Sequence, residues 1–218
     1  GFGYEWYERK NEPPKVYTYC QEINKAKELN AKIIYDNDSY NLHYSYISEQ
    51  EDEDGKIEKI THQVWFTDAA TTFNILRFSD EYSTAGTVLW RLGSEDSRIW
   101  NYYNTDLSND ELEIHPFNFN SLSTIPIIPD NVGFIGEGEM LDILYSPQEG
   151  KIKFEIDSTD KLIAEQEYLQ LPSGYVIKKF AEDTTIGKGH KLILTFDDGP
   201  SDEYTPQILD ILEKEKIP

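Results

Sequence analysis

The chain has 218 residues, enough for one or two domains, and its 38% hydrophobic and 13% aromatic content is sufficient for globular cores. A formal net charge of −21 opposes binding to nucleic acid and to anionic lipid, but is compatible with neutral or cationic glycans. No run approaches the ~20 apolar residues of a membrane-spanning helix, and Cys20, the sole cysteine, excludes an internal disulfide. Because the chain starts at Gly1 without a signal-peptide pattern, we expect a piece of a longer protein.

The first 66 residues predict a mixed α and β region. Aromatic residues and glycines fill the opening segment, and apolar residues at helical spacing predict an amphipathic helix from Val16 to Leu29. Three strands are predicted after it, at residues 31–35, 44–47 and 60–66. The last two are expected to be joined by an acidic, solvated loop over residues 49–55.

A second helix and a further strand are predicted next. Asp68 is a favourable N-cap for a helix that begins at Ala69 and ends near Tyr82. The apolar run Thr87–Trp90 follows Gly86 and predicts a buried strand.

Three segments of this region resemble the last third of a family 18 glycoside hydrolase barrel, in the branch found in spore-cortex and envelope enzymes. They are Gly3–Trp6, Val64–Ala69 and Gly86–Gly93. The resemblance implies that residues 1–6 end the seventh barrel strand, that residues 30–66 form a small α+β insertion, and that Thr87–Trp90 is the eighth strand.

The same resemblance implies sugar-contacting roles for three aromatic residues, Trp90, Tyr4 and Trp6, although each could instead be a core aromatic. In barrels of this type the functional side chains lie at strand ends. The family's catalytic acid would precede Gly1, so no glycosidase chemistry is assigned to this chain.

Residues 107–186 predict a small β-rich module. Short strand-like runs are separated by prolines and glycines, which interrupt or turn strands. The predicted strands are Leu112–Ile114, Gly133–Ile135, Met140–Tyr145, Lys151–Ile156, Tyr168–Leu171 and Tyr175–Phe180.

The strongest motif lies near the C-terminal end. The run Leu192–Phe196 predicts a strand buried on both faces, and Asp197, Asp198, Gly199 and Pro200 follow it directly. Asp-Gly alone would be ordinary turn chemistry. A helix is then predicted, capped by Thr205, with Ile208, Leu209, Ile211 and Leu212 as its buried stripe.

The whole run Thr195–Pro200 resembles the first motif of the polysaccharide deacetylases, which are metal-dependent carbohydrate esterases. The resemblance implies that Asp197 is the catalytic base and Asp198 a ligand of a divalent metal, expected to be zinc. In the family, histidines from a later motif complete the site, and this chain ends at Pro218 before one occurs. Since a catalytic zinc needs about three protein ligands, we expect the 218-residue chain alone to be inactive.

These observations predict an α/β protein of three parts. Residues 1–106 would be the C-terminal part of a TIM-like (β/α)8 barrel with its insertion, 107–186 a β-rich linker domain, and 187–218 the first β-α unit of a deacetylase barrel. The expected function is metal-dependent N-deacetylation of an N-acetylglucosamine-containing polysaccharide by a larger parent protein. The expected location is the bacterial cell envelope or the extracytoplasmic face of a membrane protein. The alternatives are a glycan-binding or scaffolding module and a remnant of a family 18 glycosidase.

Overall fold

The computed structural model describes residues 2–7, 13–51, 55–128, 131–181 and 194–217. The chain divides into two units, Gly1–Ala181 and Glu182–Pro218. In its described residues the first unit has three β-sheets and three α-helices, and the second has one α-helix. None of these four helices is both long enough and apolar enough to cross a bilayer.

The largest sheet of the first unit is antiparallel and has five strands. Along the chain they are β1 (Phe2–Tyr7), β2 (Lys15–Thr18), β3 (Ile34–Asp36), β4 (Asn41–Glu51) and β5 (Ile57–Phe66). Their order in the sheet is β2-β1-β5-β4-β3. Alternate residues of β4 and β5 point to one face, where Leu42, Tyr44, Val64 and Phe66 are buried. The predicted hairpin of β4 and β5 is confirmed, but residues 49–51 belong to β4 and not to the predicted loop, and residues 52–54 of that loop lie outside the described residues.

Helix α1 (Tyr19–Glu28) packs on this inner face through Tyr19, Ile23 and Ala26. The helix was predicted to begin at Val16, but Val16 belongs to β2. The reason is a capping box at Thr18. The Thr18 hydroxyl accepts a hydrogen bond from the Gln21 backbone N–H at 3.3 Å, and the Gln21 side chain accepts one from the Thr18 N–H at 2.8 Å. Residues before the cap are therefore left to pair with β1.

Helix α2 (Ala69–Glu81) confirms the second predicted helix. Its N-cap is Asp68, whose Oδ1 accepts a hydrogen bond from the Thr71 backbone N–H at 2.9 Å. Phe73 of α2 packs against Ile99 and Tyr102, which belong to a short 3₁₀ helix and the turn after it. Helix α3 (Asn109–Ile114) contradicts the strand predicted at Leu112–Ile114, because Ser108 caps a helical turn there.

The predicted eighth barrel strand is wrong. Thr87–Trp90 pairs with no strand in the described part of the chain, and Val88 is 91% exposed. The predicted seventh strand is present as β1, but it pairs antiparallel with β2 and with β5, whereas barrel strands pair in parallel. The described residues of the first unit therefore form a mixed α/β arrangement of several sheets, and the barrel is not confirmed.

Two three-stranded sheets complete the first unit. One has the order β10-β9-β6 and the other β7-β11-β8. Their strands are β6 (Thr124–Ile125), β7 (Val132–Gly136), β8 (Met140–Tyr145), β9 (Gly150–Ile156), β10 (Ile163–Gln170) and β11 (Tyr175–Phe180). Ile125 and Ile152 join the core cluster of α1, and Ile163 joins that of α2. Residues 107–181 therefore share cores with residues 1–106, and the predicted boundaries at 106/107 and 186/187 stay predictions.

The second unit contains α4 (Tyr204–Glu215), which confirms the last predicted helix. It begins one residue before Thr205, so Thr205 is not its N-cap. The predicted buried stripe is also wrong, since Leu209 and Ile211 are 58% and 59% exposed and no residue of α4 is fully buried. Within residues 194–217 there is no second apolar element for the helix to pack against.

Candidate functional site

The acidic motif lies in an exposed turn that leads into α4. Asp197 and Asp198 are both exposed, and the backbone of Asp198 has φ of +61°. Aspartate tolerates this left-handed conformation better than most residues because its short polar side chain can hydrogen-bond locally. The peptide bond between Gly199 and Pro200 is cis. Two carboxylates are thus presented to solvent at the sharp turn that the motif predicted.

The turn is tied to the first residues of α4 by Ser201 and Thr205. The Ser201 backbone N–H donates to the Thr205 hydroxyl at 2.8 Å, and the Tyr204 N–H donates to the Ser201 hydroxyl at 3.2 Å. The Ser201 carbonyl oxygen accepts from the Thr205 N–H at 3.0 Å. These hydrogen bonds join the turn to the first turn of α4, whose N-cap is Glu203 rather than the predicted Thr205.

The strand predicted before the acids is not seen in its described part. Leu192 and Ile193 lie outside the described residues, as does His190. Residues 194–196 have no strand pairing, and Leu194 and Phe196 are 50% and 57% exposed, so the prediction that they are buried on both faces is wrong. A strand becomes buried only when neighbouring strands and helices cover it, and residues 194–217 contain none that does.

The metal site implied by the motif is not complete in the described residues. They contain no group of three or more His, Cys, Asp or Glu side chains placed to hold a metal ion. His43, His62 and His115 all belong to the first unit. His43 stacks on Trp65, and His62 is buried among hydrogen-bond partners. Asp198 can be one ligand, but the described residues do not by themselves fit a catalytic zinc.

The predicted sugar-contacting aromatics lie in the first unit. Tyr4 and Trp90 line one cavity of about 400 Å³, together with Trp65 and Tyr103. Trp90 is 78% exposed and Tyr4 40% exposed, so neither is a core aromatic. Trp6 is 50% exposed and lies two residues along β1 on the same face, with its ring centroid 6.5 Å from that of Tyr4. The structure thus brings Tyr4 and Trp90 together, with Trp6 beside them.

Two aromatic residues of this cavity were missed by the sequence analysis. Trp65 is directly opposite Tyr4 in the register of β1 and β5, and its ring stacks on His43 with centroids 4.5 Å apart. Its outward position could have been found from the alternation with Val64 and Phe66, which are buried. Tyr103 hydrogen-bonds through its hydroxyl to the Thr87 side chain at 3.3 Å. No local sequence pattern indicates that contact.

The C-terminal segment of the chain matches a known protein family. Residues 185–218 match the polysaccharide deacetylase family. This short C-terminal segment is thus similar to hydrolases that act on carbon–nitrogen bonds in polysaccharides. No curated protein shows significant similarity to the chain.

Among solved structures, the chain has a weak likeness to the crystal structure of chitinase from Chromobacterium violaceum ATCC 12472. The sequence identity is 23% and the TM-score 0.36, over 46% of this chain. The alignment spans only 28% of the chitinase chain.

Proposed function

We propose that the chain is part of a metal-dependent hydrolase that removes N-acetyl groups from an N-acetylglucosamine-containing polysaccharide. The observation that carries the proposal is the exposed Asp197-Asp198 turn leading into α4, inside the segment that matches the polysaccharide deacetylase family. We place the protein at the bacterial cell envelope, where such polymers are found.

In this proposal the two acids have different tasks. Asp197 is the general base that takes a proton from the attacking water, and Asp198 is one ligand of a divalent metal, zinc in our assignment. When bound, the metal supplies Lewis-acid activation of the amide carbonyl. The other ligands must come from residues outside those described, because the described ones provide no group of three.

The test measures acetate released from N-acetylglucosamine oligomers by the natural protein that contains residues 1–218. Asp197→Asn and Asp198→Asn should each lower the rate by about 100-fold or more, since general base catalysis alone is worth about 10²–10⁴-fold. Asp202→Asn is the matched control, because Asp202 is an exposed acid in the same turn with no assigned role. Zinc should bind the wild type and the Asp197 variant more tightly than the Asp198 variant.

Three results would refute this assignment. They are a wild-type protein that releases no acetate, an Asp197 variant that keeps full activity, and an Asp202 variant as impaired as the other two. The 218-residue chain assayed alone with zinc should release no acetate, because the described residues supply Asp198 with no partner ligands.

A second candidate function is glycan binding by the first unit. Tyr4, Trp65 and Trp90 present partly exposed rings around one cavity, and aromatic faces of this kind bury well against the apolar faces of sugar rings. Trp90→Ala should reduce the fraction of protein retained on insoluble chitin several-fold. Tyr82→Ala is the control, since Tyr82 is equally exposed and lies outside the cavity. Equal retention of the Trp90 variant and wild type would exclude this role.

A further inference from the structure

A serine, a histidine and a glutamate form a connected group on the inner face of the five-stranded sheet. Ser48 lies on β4, His62 on β5 and Glu5 on β1. The registers place His62 opposite Tyr46 on one side and Tyr7 on the other. Ser48 and Glu5 are each two residues further along a neighbouring strand, so both reach the imidazole diagonally.

The hydrogen bonds of this group fix the tautomer of His62. Its Nδ1 lies 2.6 Å from Glu5 Oε1, and its Nε2 lies 2.7 Å from Ser48 Oγ. An ionised carboxylate can only accept hydrogen bonds, so Nδ1 carries the proton that Glu5 accepts. In the neutral imidazole, the lone pair of Nε2 is then left to accept the hydroxyl proton of Ser48.

Glu5 is held ionised by its other partners. Burial raises the pKa of its carboxyl group, but hydrogen bonds from Lys25, Tyr46 and His62 and the charge of Lys25 outweigh burial and lower the pKa below 4.5. Tyr46 donates to Glu5 Oε1 at 2.5 Å, and the Lys25 ammonium donates to Oε2. A carboxylate with these partners accepts the Nδ1 proton without taking it up.

The imidazole ring is also held in place by packing. Tyr46 stacks on it with ring centroids 4.3 Å apart, and Tyr7 packs edge-on against it with ring centroids 4.8 Å apart. His62 is 4% exposed and Glu5 is 1% exposed, while Ser48 is partly exposed at the rim of the buried face. The order from solvent inward is therefore serine, histidine and carboxylate.

We propose that Ser48 is a nucleophile activated by His62, with Glu5 as the positioning residue, and that this group hydrolyses small acyl esters. A hydrogen-bonded nucleophile and base, with the base oriented by a third group, is the geometry that covalent acyl transfer requires. This site is separate from the acidic motif and breaks an ester C–O bond, whereas the proposed deacetylase reaction breaks an amide C–N bond.

The reaction has two balanced halves. Ser48 Oγ attacks the ester carbonyl carbon while its proton passes to His62 Nε2. The ester C–O bond then breaks, the alcohol leaves with that proton, and the acyl group stays on Ser48. Water next attacks the acyl carbon, gives its proton to Nε2, and releases the carboxylic acid as Ser48 Oγ recovers the proton. Glu5 remains ionised throughout.

The test uses a fluorophosphonate probe, which reacts with activated serines, on the 218-residue chain, followed by mass mapping of the labelled peptide. Label is expected on Ser48. Ser48→Ala should abolish it, and His62→Gln should slow it about 100-fold or more. Ser45→Ala is the matched control, because Ser45 is an exposed serine on the opposite face of the same strand and hydrogen-bonds to no histidine among the described residues.

Hydrolysis of p-nitrophenyl acetate gives an independent measure. Any rate of ester hydrolysis in excess of that given by free imidazole should disappear in Ser48→Ala. The thermal melting of this variant should match that of wild type, because Ser48 is at the rim of the buried face. Glu5→Gln should slow the labelling rate, normalised to the amount of folded protein, while the label stays confined to Ser48. A purely structural role for Glu5 would not produce this result. Label spread over several serines, or ester hydrolysis unchanged in Ser48→Ala, would overturn the proposal.

Discussion

The most informative single substitution concerns a second buried acid, Glu22 of α1. Its side chain is fully buried, the Tyr44 hydroxyl donates to Oε2 at 2.8 Å, and Oε1 has no hydrogen-bond partner among the described residues. Burial raises the pKa of Glu22 from 4.5 to about 7, although Tyr44 and Lys25 act to lower it. The folded protein therefore keeps this carboxyl protonated at pH values where the unfolded chain has ionised it.

The sign of the effect on stability follows from proton linkage. Between pH 4.5 and 7 the folded state binds more protons at Glu22 than the unfolded state, so the free energy of unfolding falls as pH rises. Well above pH 7 the Glu22 carboxyl is ionised in both states, and its effect on the free energy of unfolding no longer changes with pH. For a pKa raised from 4.5 to about 7, the loss in free energy of unfolding between pH 5 and pH 8 is on the order of 2–3 kcal/mol.

Glu22→Gln removes this titration and keeps the shape of the side chain. Its amide introduces a constant cost for one poorly paired donor, so the informative quantity is how the difference between variant and wild type changes with pH. Relative to wild type, the variant should gain on the order of 2–3 kcal/mol in free energy of unfolding from pH 5 to pH 8. Other titrating groups cancel in that difference to first order.

Urea denaturation followed by tryptophan fluorescence is the suitable assay, because all four tryptophans lie within residues 1–181 and report on the first unit. Glu28→Gln on the exposed side of the same helix is the matched control and should show no such trend. If the Glu22→Gln difference is the same at pH 5 and pH 8, the carboxyl is not protonated in the folded state and the reasoning fails.

Two further substitutions test the packing around α1 and α2. Gly3→Ala should lower the free energy of unfolding by about 1–3 kcal/mol or more, because a Cβ there would lie 2.2 Å from the Glu22 side chain. Gly133→Ala is its control and should be close to neutral in the same urea assay, because the nearest atom to a Cβ at that position would be 3.8 Å away. Arg98→Met should cost about 3–5 kcal/mol by leaving Asp96 and Asp68 buried without their cation. The exposed Lys153→Met is its control, and equal melting of the two would contradict this account.

Local patterns in the sequence predicted the elements whose causes are local. The N-cap at Asp68 and the strand at residues 60–66 depend on neighbours a few residues away, and both are confirmed. Two failures also had local causes, the caps at Thr18 and Ser108. The others occurred where a choice depends on distant partners. Thr87–Trp90 has strand-forming residues, but no strand among the described residues pairs with it. Ile125 and Ile152 gave no sign that they would join the core of α1.

The same distinction applies to the candidate sites. The acidic turn at Asp197 and Asp198 is visible in the sequence because all its residues are consecutive, and the turn and following helix are present. Trp65 and Tyr103 join Tyr4 and Trp90 only through strand pairing and the path of the chain after α2. Strand register is set by which faces are buried, and a shift of one residue would move Trp65 inward.

Register also explains why the group of Ser48, His62 and Glu5 could not be found from the sequence. Its members are 14 and 57 residues apart along the chain, and they meet because β5 lies between β1 and β4. A one-residue slip of β5 would turn His62 to the outer face and separate it from both partners. The inner-face position of His62 is itself enforced by Val64 and Phe66, which must be buried on that face. The hydrophobic pattern of β5 therefore places the imidazole, and the chemistry at Ser48 depends on that pattern.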